Sequence, residues 1–126
     1  MAEGLIKRFN SELQKVKETE KDRENTINSR QQLEAQLTET TLVKQELDLL
    51  GAESTIYKLI GPVLVKQDLS EAKQNVEKRV EFINNEIRRQ EAILKDLDAK
   101  RKAAEEAAIK LQSQLQQEQV KHAIKS

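Results

Sequence analysis

The chain of 126 residues contains no cysteine and no tryptophan, a single proline (Pro62) and three glycines (Gly4, Gly51 and Gly61). Without cysteine there is no disulfide framework, no thiolate metal site and no cysteine nucleophile. Aromatic side chains are nearly missing: Phe9, Tyr57 and Phe82 make up the whole set, 2% of the sequence. So little bulk, beside 37% hydrophobic and 35% charged residues, leaves no material for a thick core around a roomy ligand pocket. A conventional enzyme is disfavoured on that ground. An excess of one charge is lacking too, because 22 basic residues cancel 22 acidic ones, so no global field draws the chain to nucleic acid. Residues 1–30 carry charges every few positions and no apolar run of the length a signal peptide or membrane span needs, so a soluble protein of the cytosol or nucleus, without a membrane partner, is the expectation.

What is present is periodic. Steps of four and three residues from Val76 reach Val80, Ile83, Ile87, Gln90, Leu94, Leu97, Arg101, Ala104, Ala108, Leu111 and Leu115; ten of these twelve positions are apolar, Gln90 and Arg101 being the exceptions. A 3.5-residue repeat kept up for more than five heptads is the pattern that holds one helix against another. The first half carries a weaker stripe, with Ile6, Phe9, Leu13, Val16, Ile27 and Leu37 in register and Glu20, Arg23, Arg30 and Glu34 interrupting it; Leu33 falls one place off. Gly51 and Gly61-Pro62 separate the stripes, Gly51 as a left-handed helix cap and Pro62 as a helix stop. Asp68 followed by Glu71, or Ser70 alone, supplies a cap for the second helix.

Between the stripes, residues 55–60 and 62–66 are rich in β-branched side chains and bounded by turn-formers, which predicts two short strands in a hairpin. The expected organisation is one domain, 1–126, mainly α: helix 1 over 5–50, a β-hairpin over 54–67 and helix 2 over 69–121, the helices forming an antiparallel coiled coil. Full burial of Ile56, Tyr57, Leu59, Ile60, Val63, Leu64 and Val65 would be worth on the order of 10 to 20 kcal/mol. Two strands cannot bury that set alone, so the hairpin is expected to assemble with strands of other chains into an inter-subunit β-barrel. In the antiparallel register Arg23 faces Arg101, a layer that needs Glu20 or Glu105 to neutralise it.

Reactive motifs are scarce. The one histidine, His122, lies near the carboxyl end; there is no metal-ligand cluster, Gly-rich phosphate loop or nucleophile elbow, so no cofactor is implied. Acid-before-base pairs such as Glu91 with Lys95 and Asp98 with Lys102 have the spacing of solvated helix faces. At the open end of the coil, Leu5, Ile6, Phe9, Leu13, Leu111, Leu115, Val120 and Ile124 cluster where helices fray, and apolar surface exposed there is a candidate site for binding a non-native chain.

Residues 30–39, 43–47, 76–83 and 86–87, together with Tyr57-Lys58-Leu59-Ile60-Gly61-Pro62-Val63-Leu64-Val65-Lys66-Gln67, resemble the β-type prefoldin subunits of eukaryotes. The resemblance covers nearly the whole chain, and the hairpin segment is its most specific part. It implies a hetero-hexamer of two α-type and four β-type subunits, whose hairpins join into a double β-barrel from which six coiled coils hang. It further implies capture of unfolded polypeptides, actin and tubulin among them, without nucleotide, and their delivery to the cytosolic group II chaperonin. A single hairpin fits the β type. The rival reading is a static coiled-coil scaffold or tether, which has no need of so apolar a hairpin.

Overall fold

A computed structural model describes residues 2–125. Its elements are α1 (Ala2–Leu49), β1 (Ile56–Ile60), β2 (Val63–Gln67) and α2 (Leu69–Lys125). Both helices outrun their expected ends: α1 starts at Ala2 rather than residue 5, with Gly4 accommodated inside it, and α2 continues to Lys125 rather than stopping at 121. No helix among the described residues is long and apolar enough to cross a membrane.

Contacts divide the chain into two compact units. One contains residues 1–28 and 91–126, the other residues 29–90. In the first, the start of α1 lies with the end of α2, and the buried side chains are Ala104 and Ala108. The second holds the hairpin and the helix segments that flank it; its buried side chains are Ala72, Ile83 and Ile87, and Ile83, at 1% exposure, is the one large side chain fully out of water. α1 buries no residue completely. Such a thin interior is what two helices sharing a single stripe produce.

In α2 all twelve expected seam positions, from Val76 to Leu115, are buried or half-buried. In α1 one of the two rows is displaced. The row Phe9, Val16, Arg23, Arg30 and Leu37 is half-buried as expected, but its companion is Leu5, Glu12, Thr19, Thr26, Leu33, Thr40 and Leu47. The expected Ile6, Leu13, Glu20 and Glu34 are exposed, Ile27 of the same row is half-buried as expected, and Leu33 is a seam residue. The physical reason is threonine. The hydroxyls of Thr19, Thr26 and Thr40 donate to the carbonyls of Lys15, Asp22 and Gln36 at 2.9, 2.8 and 2.7 Å. Each hydroxyl is satisfied within its own turn, so the methyl is free to face the other helix. The displaced row admits one full charge, Glu12, where the expected row would have placed both Glu20 and Glu34 in the seam.

α1 ends without a left-handed cap, because Gly61 is the one residue with positive φ among the described residues. Instead the Leu50 amide bonds the Leu47 carbonyl at 3.2 Å, a tightened last turn, and the Ser54 amide bonds the Gly51 carbonyl at 3.0 Å, closing a β-turn over 51–54. α2 opens with Asp68 at the cap position and Glu71 three residues on, where its carboxylate suits the helix dipole. The Ala72 amide reaches the Asp68 carbonyl at 2.9 Å as the first helical bond.

Candidate functional site

The hairpin is antiparallel, pairing Ile60 with Val63, Leu59 with Leu64, Lys58 with Val65, Tyr57 with Lys66 and Ile56 with Gln67. Its loop is the two residues Gly61 and Pro62. Gly61 has φ +58°, and the proline ring holds Pro62 near −65°. Positive φ at the first loop position alone is the type II′ pattern, whose twist matches that of the strands. Pro62 therefore lies in the turn, not in the second strand expected over 62–66, and β2 begins at Val63.

Side chains alternate across the two faces. Tyr57, Leu59, Leu64 and Lys66 share one, and Ile56, Lys58, Ile60, Val63, Val65 and Gln67 share the other. Of the seven apolar residues expected to drive assembly, six are exposed, Leu59 at 68% and Leu64 at 65% among them, and only Ile56 is half-buried. The closing pair of a two-residue hairpin exchanges its hydrogen bonds inward, and alternation gives the same to Lys58 with Val65 and Ile56 with Gln67. The backbone N–H and C=O groups of Tyr57 and Leu59 on one edge, and of Leu64 and Lys66 on the other, are thus turned away from the hairpin. A cleft of about 570 Å³ lies beside it, lined by Val43, Leu47, Ile56, Tyr57, Ala72 and Val76 among others.

The eight residues expected at the open end divide into two groups. Leu5, Phe9, Leu111 and Leu115 are half-buried in the seam, while Ile6, Leu13, Val120 and Ile124 are exposed. Ile6 and Leu115 are brought together in a shallow cleft of about 420 Å³ with Ala2, Glu118, His122 and Ala123. Nearer the middle of α1, the small residues Thr19, Ala103 and Ala104 leave another cleft of about 570 Å³, rimmed by Glu12, Lys15, Glu18, Asp22 and Lys100. Arg23 and Arg101 each have a carboxylate of their own: Arg23 Nε lies 2.9 Å from Asp98 Oδ1, and Arg101 Nε 3.8 Å from Glu105 Oε1. Glu105 was one of the two expected neutralisers; Asp98 takes the place of Glu20. Among the described residues no group of three metal-ligating side chains converges.

Periodicity reasoning missed one set. Leu42, Val43, Leu49, Leu50, Phe82, Ile93 and Ile109 are large, apolar and exposed, and none belongs to the seam or the hairpin. Their signal in the sequence is that the heptad leaves them over.

Two helices sharing one seam, joined by a hairpin whose apolar faces stand in water, define the architecture of a prefoldin subunit. A family model for prefoldin subunits matches residues 10–123, and the chain belongs to that family. It is 54% identical over 93 residues to a probable prefoldin subunit 6 of Caenorhabditis briggsae, covering 74% of this chain and 73% of that one. It is 43% identical over 119 residues to prefoldin subunit 6 of Homo sapiens, covering 94% and 92% of the two chains. Among solved structures it is similar to the prefoldin beta subunit from Thermococcus strain KS-1, with a TM-score of 0.56, 20% identity, and 86% and 90% of the chains covered. The fold of that beta subunit, two long helices with one hairpin between them, is the fold of this chain.

Proposed function

We propose that this chain is a β-type subunit of a hetero-hexameric chaperone that holds unfolded polypeptides without nucleotide, working in the cytoplasm and passing its clients, actin- and tubulin-like chains, to the group II chaperonin. In this reading the hairpin joins the subunit to α- and β-type neighbours, and the exposed apolar residues at the helix ends hold the client. The observation that carries it is the hairpin: six large apolar side chains stand in water on a two-stranded sheet whose edges are both open. Each is worth about 1.5 to 3 kcal/mol on full burial, which no element of this chain provides. Several such subunits present several weak apolar contacts at once, and multivalency turns these into useful affinity.

The test uses the native complex, purified through a tag on this chain. It is expected to suppress aggregation of a chemically denatured protein with no nucleotide added. The variant Ile6→Ser/Leu13→Ser/Val120→Ser/Ile124→Ser alters exposed positions only, so suppression should fall severalfold while the native mass stays the same. A complex that suppresses nothing would leave the scaffold reading standing. A variant that loses the oligomer would refute the division of labour between hairpin and helix ends.

A further inference from the structure

The open edge of β1 can pair with the β1 edge of a second copy of this chain in one full-length register. Tyr57 and Leu59 turn their backbone groups outward, so two antiparallel copies use all of these groups only when Tyr57 of each lies opposite Leu59 of the other. A slip in either direction leaves one bonded residue pair within the strands, because Thr55 and Gly61 lie outside β1. In the full register Lys58 meets its own image. The two lysines stand on the same face as a closely spaced pair, about 4.5 Å apart at Cα and well inside the screening length of about 8 Å at physiological salt. Like charges placed directly opposite weaken a strand pair. The β2 edge differs: its full register matches Leu64 with Lys66 and sets Val65 against Val65, which carries no such penalty.

The repulsion has no local relief. Lys58 lines the cleft beside the hairpin, and the charged residues of that lining are Lys58 and Arg79 of α2, both cations. Each is exposed, and neither makes an ion pair among the described residues. A β1-to-β1 pair of two copies therefore gathers two ammonium groups, each with a guanidinium in the same cleft, and the cleft lining supplies no carboxylate. The β2 edge of a second copy avoids the clash but brings Val65 opposite Lys58, so the cations stay uncompensated. A strand with a carboxylate at that place answers the charge and keeps every hydrogen bond of the edge.

We propose that Lys58 sets the choice of partner at the β1 edge: it refuses the β1 edge of a second copy and takes a neighbouring strand that brings a carboxylate opposite it, with Arg79 adding to the same field. This rests on the reading that hairpins join the subunits. The chain itself supplies the probe, because Lys58→Glu puts a carboxylate in that register. Full-length chains carrying Leu64→Pro, which disables the β2 edge, are mixed in equal amounts, one retaining Lys58 and the other isotope-labelled and carrying Lys58→Glu. Random pairing gives mixed and like-with-like dimers in equal numbers. Native mass spectrometry is expected to show mixed dimers in about tenfold excess near 0.05 M salt and a much smaller excess near 0.5 M. Equal numbers at low salt, or no dimers, overturn the proposal. In the native complex, Lys58→Glu should raise the dissociation constant about three- to tenfold near 0.05 M salt, and an unchanged constant also overturns it. Leu59→Asp in the native complex is the reference. If it disrupts the complex while the Lys58 tests fail, the partner choice alone is refuted; if the complex tolerates it, the assembly reading falls as well.

Discussion

Arg23 on α1 and Asp98 on α2 meet at 2.9 Å, bringing together two residues 75 positions apart in the chain. The pair relieves the conflict that Arg23 and Arg101 would otherwise create in the seam. Both side chains keep much of their surface in water, 40% for half-buried Arg23 and 47% for Asp98, so the contact is screened and worth about 0.2 to 1 kcal/mol. Asp98→Asn is expected to lower thermal stability by no more than that, with a smaller effect at high salt. In a double-mutant cycle with Arg23→Gln, a coupling energy beyond 2 kcal/mol would contradict the exposed geometry, since such values belong to buried networks.

The threonine row makes a sharper claim. Leu33 is half-buried and Glu34 exposed, so Leu33→Ala should cost about 1 to 2 kcal/mol and Glu34→Ala less than about 0.5 kcal/mol in denaturant unfolding. Thr26→Glu puts a carboxylate into the seam and should destabilise, whereas Thr26→Val keeps the methyl shape and should not. Equal costs at positions 33 and 34 would return the seam to the phase that simple counting suggests.

That phase error shows where the sequence was legible. In α2 the apolar row is nearly unbroken, and each of its twelve positions, even Gln90 and Arg101, lies where the repeat puts it. In α1 the rows through Leu5 and through Ile6 hold equal numbers of aliphatic residues, so hydrophobicity cannot choose between them. The choice lies in back-bonded hydroxyls and in the cost of burying carboxylates, which a tally of apolar residues ignores. The hairpin was readable because β-branched density and Gly61-Pro62 agree on one turn. The face bearing Leu42 and Leu49 was hidden, because a search for a period discards what does not fit it.

Gly61 should be the least replaceable of the three glycines. A Cβ there meets nothing within 4 Å, so the cost of Gly61→Ala comes wholly from holding a non-glycine residue at φ +58°. That cost is about 1 to 2 kcal/mol. It falls on a hairpin with little stability of its own, so the expected result is weakened assembly with helical circular dichroism unchanged. Gly51→Ala, at an open position without positive φ, should leave both readings within error.

The hairpin edges allow a test of strand pairing that spares the hairpin itself. The Leu59 and Leu64 amides point outward, so proline at either position removes no ladder bond within the hairpin, whereas Lys58→Pro removes one. If a neighbouring strand adds to β1, Leu59→Pro leaves a partner carbonyl unsatisfied and should weaken the complex by about 1 to 3 kcal/mol beyond Leu59→Ala, which loses the same side chain but keeps the N–H. Addition to β2 predicts the same contrast between Leu64→Pro and Leu64→Ala. Native mass spectrometry across a dilution series reads both comparisons and shows which edge is used. Should the proline and alanine variants dissociate alike at both positions, strand addition is not how this subunit joins its neighbours, and the exposed side chains of the hairpin must be covered through its faces alone.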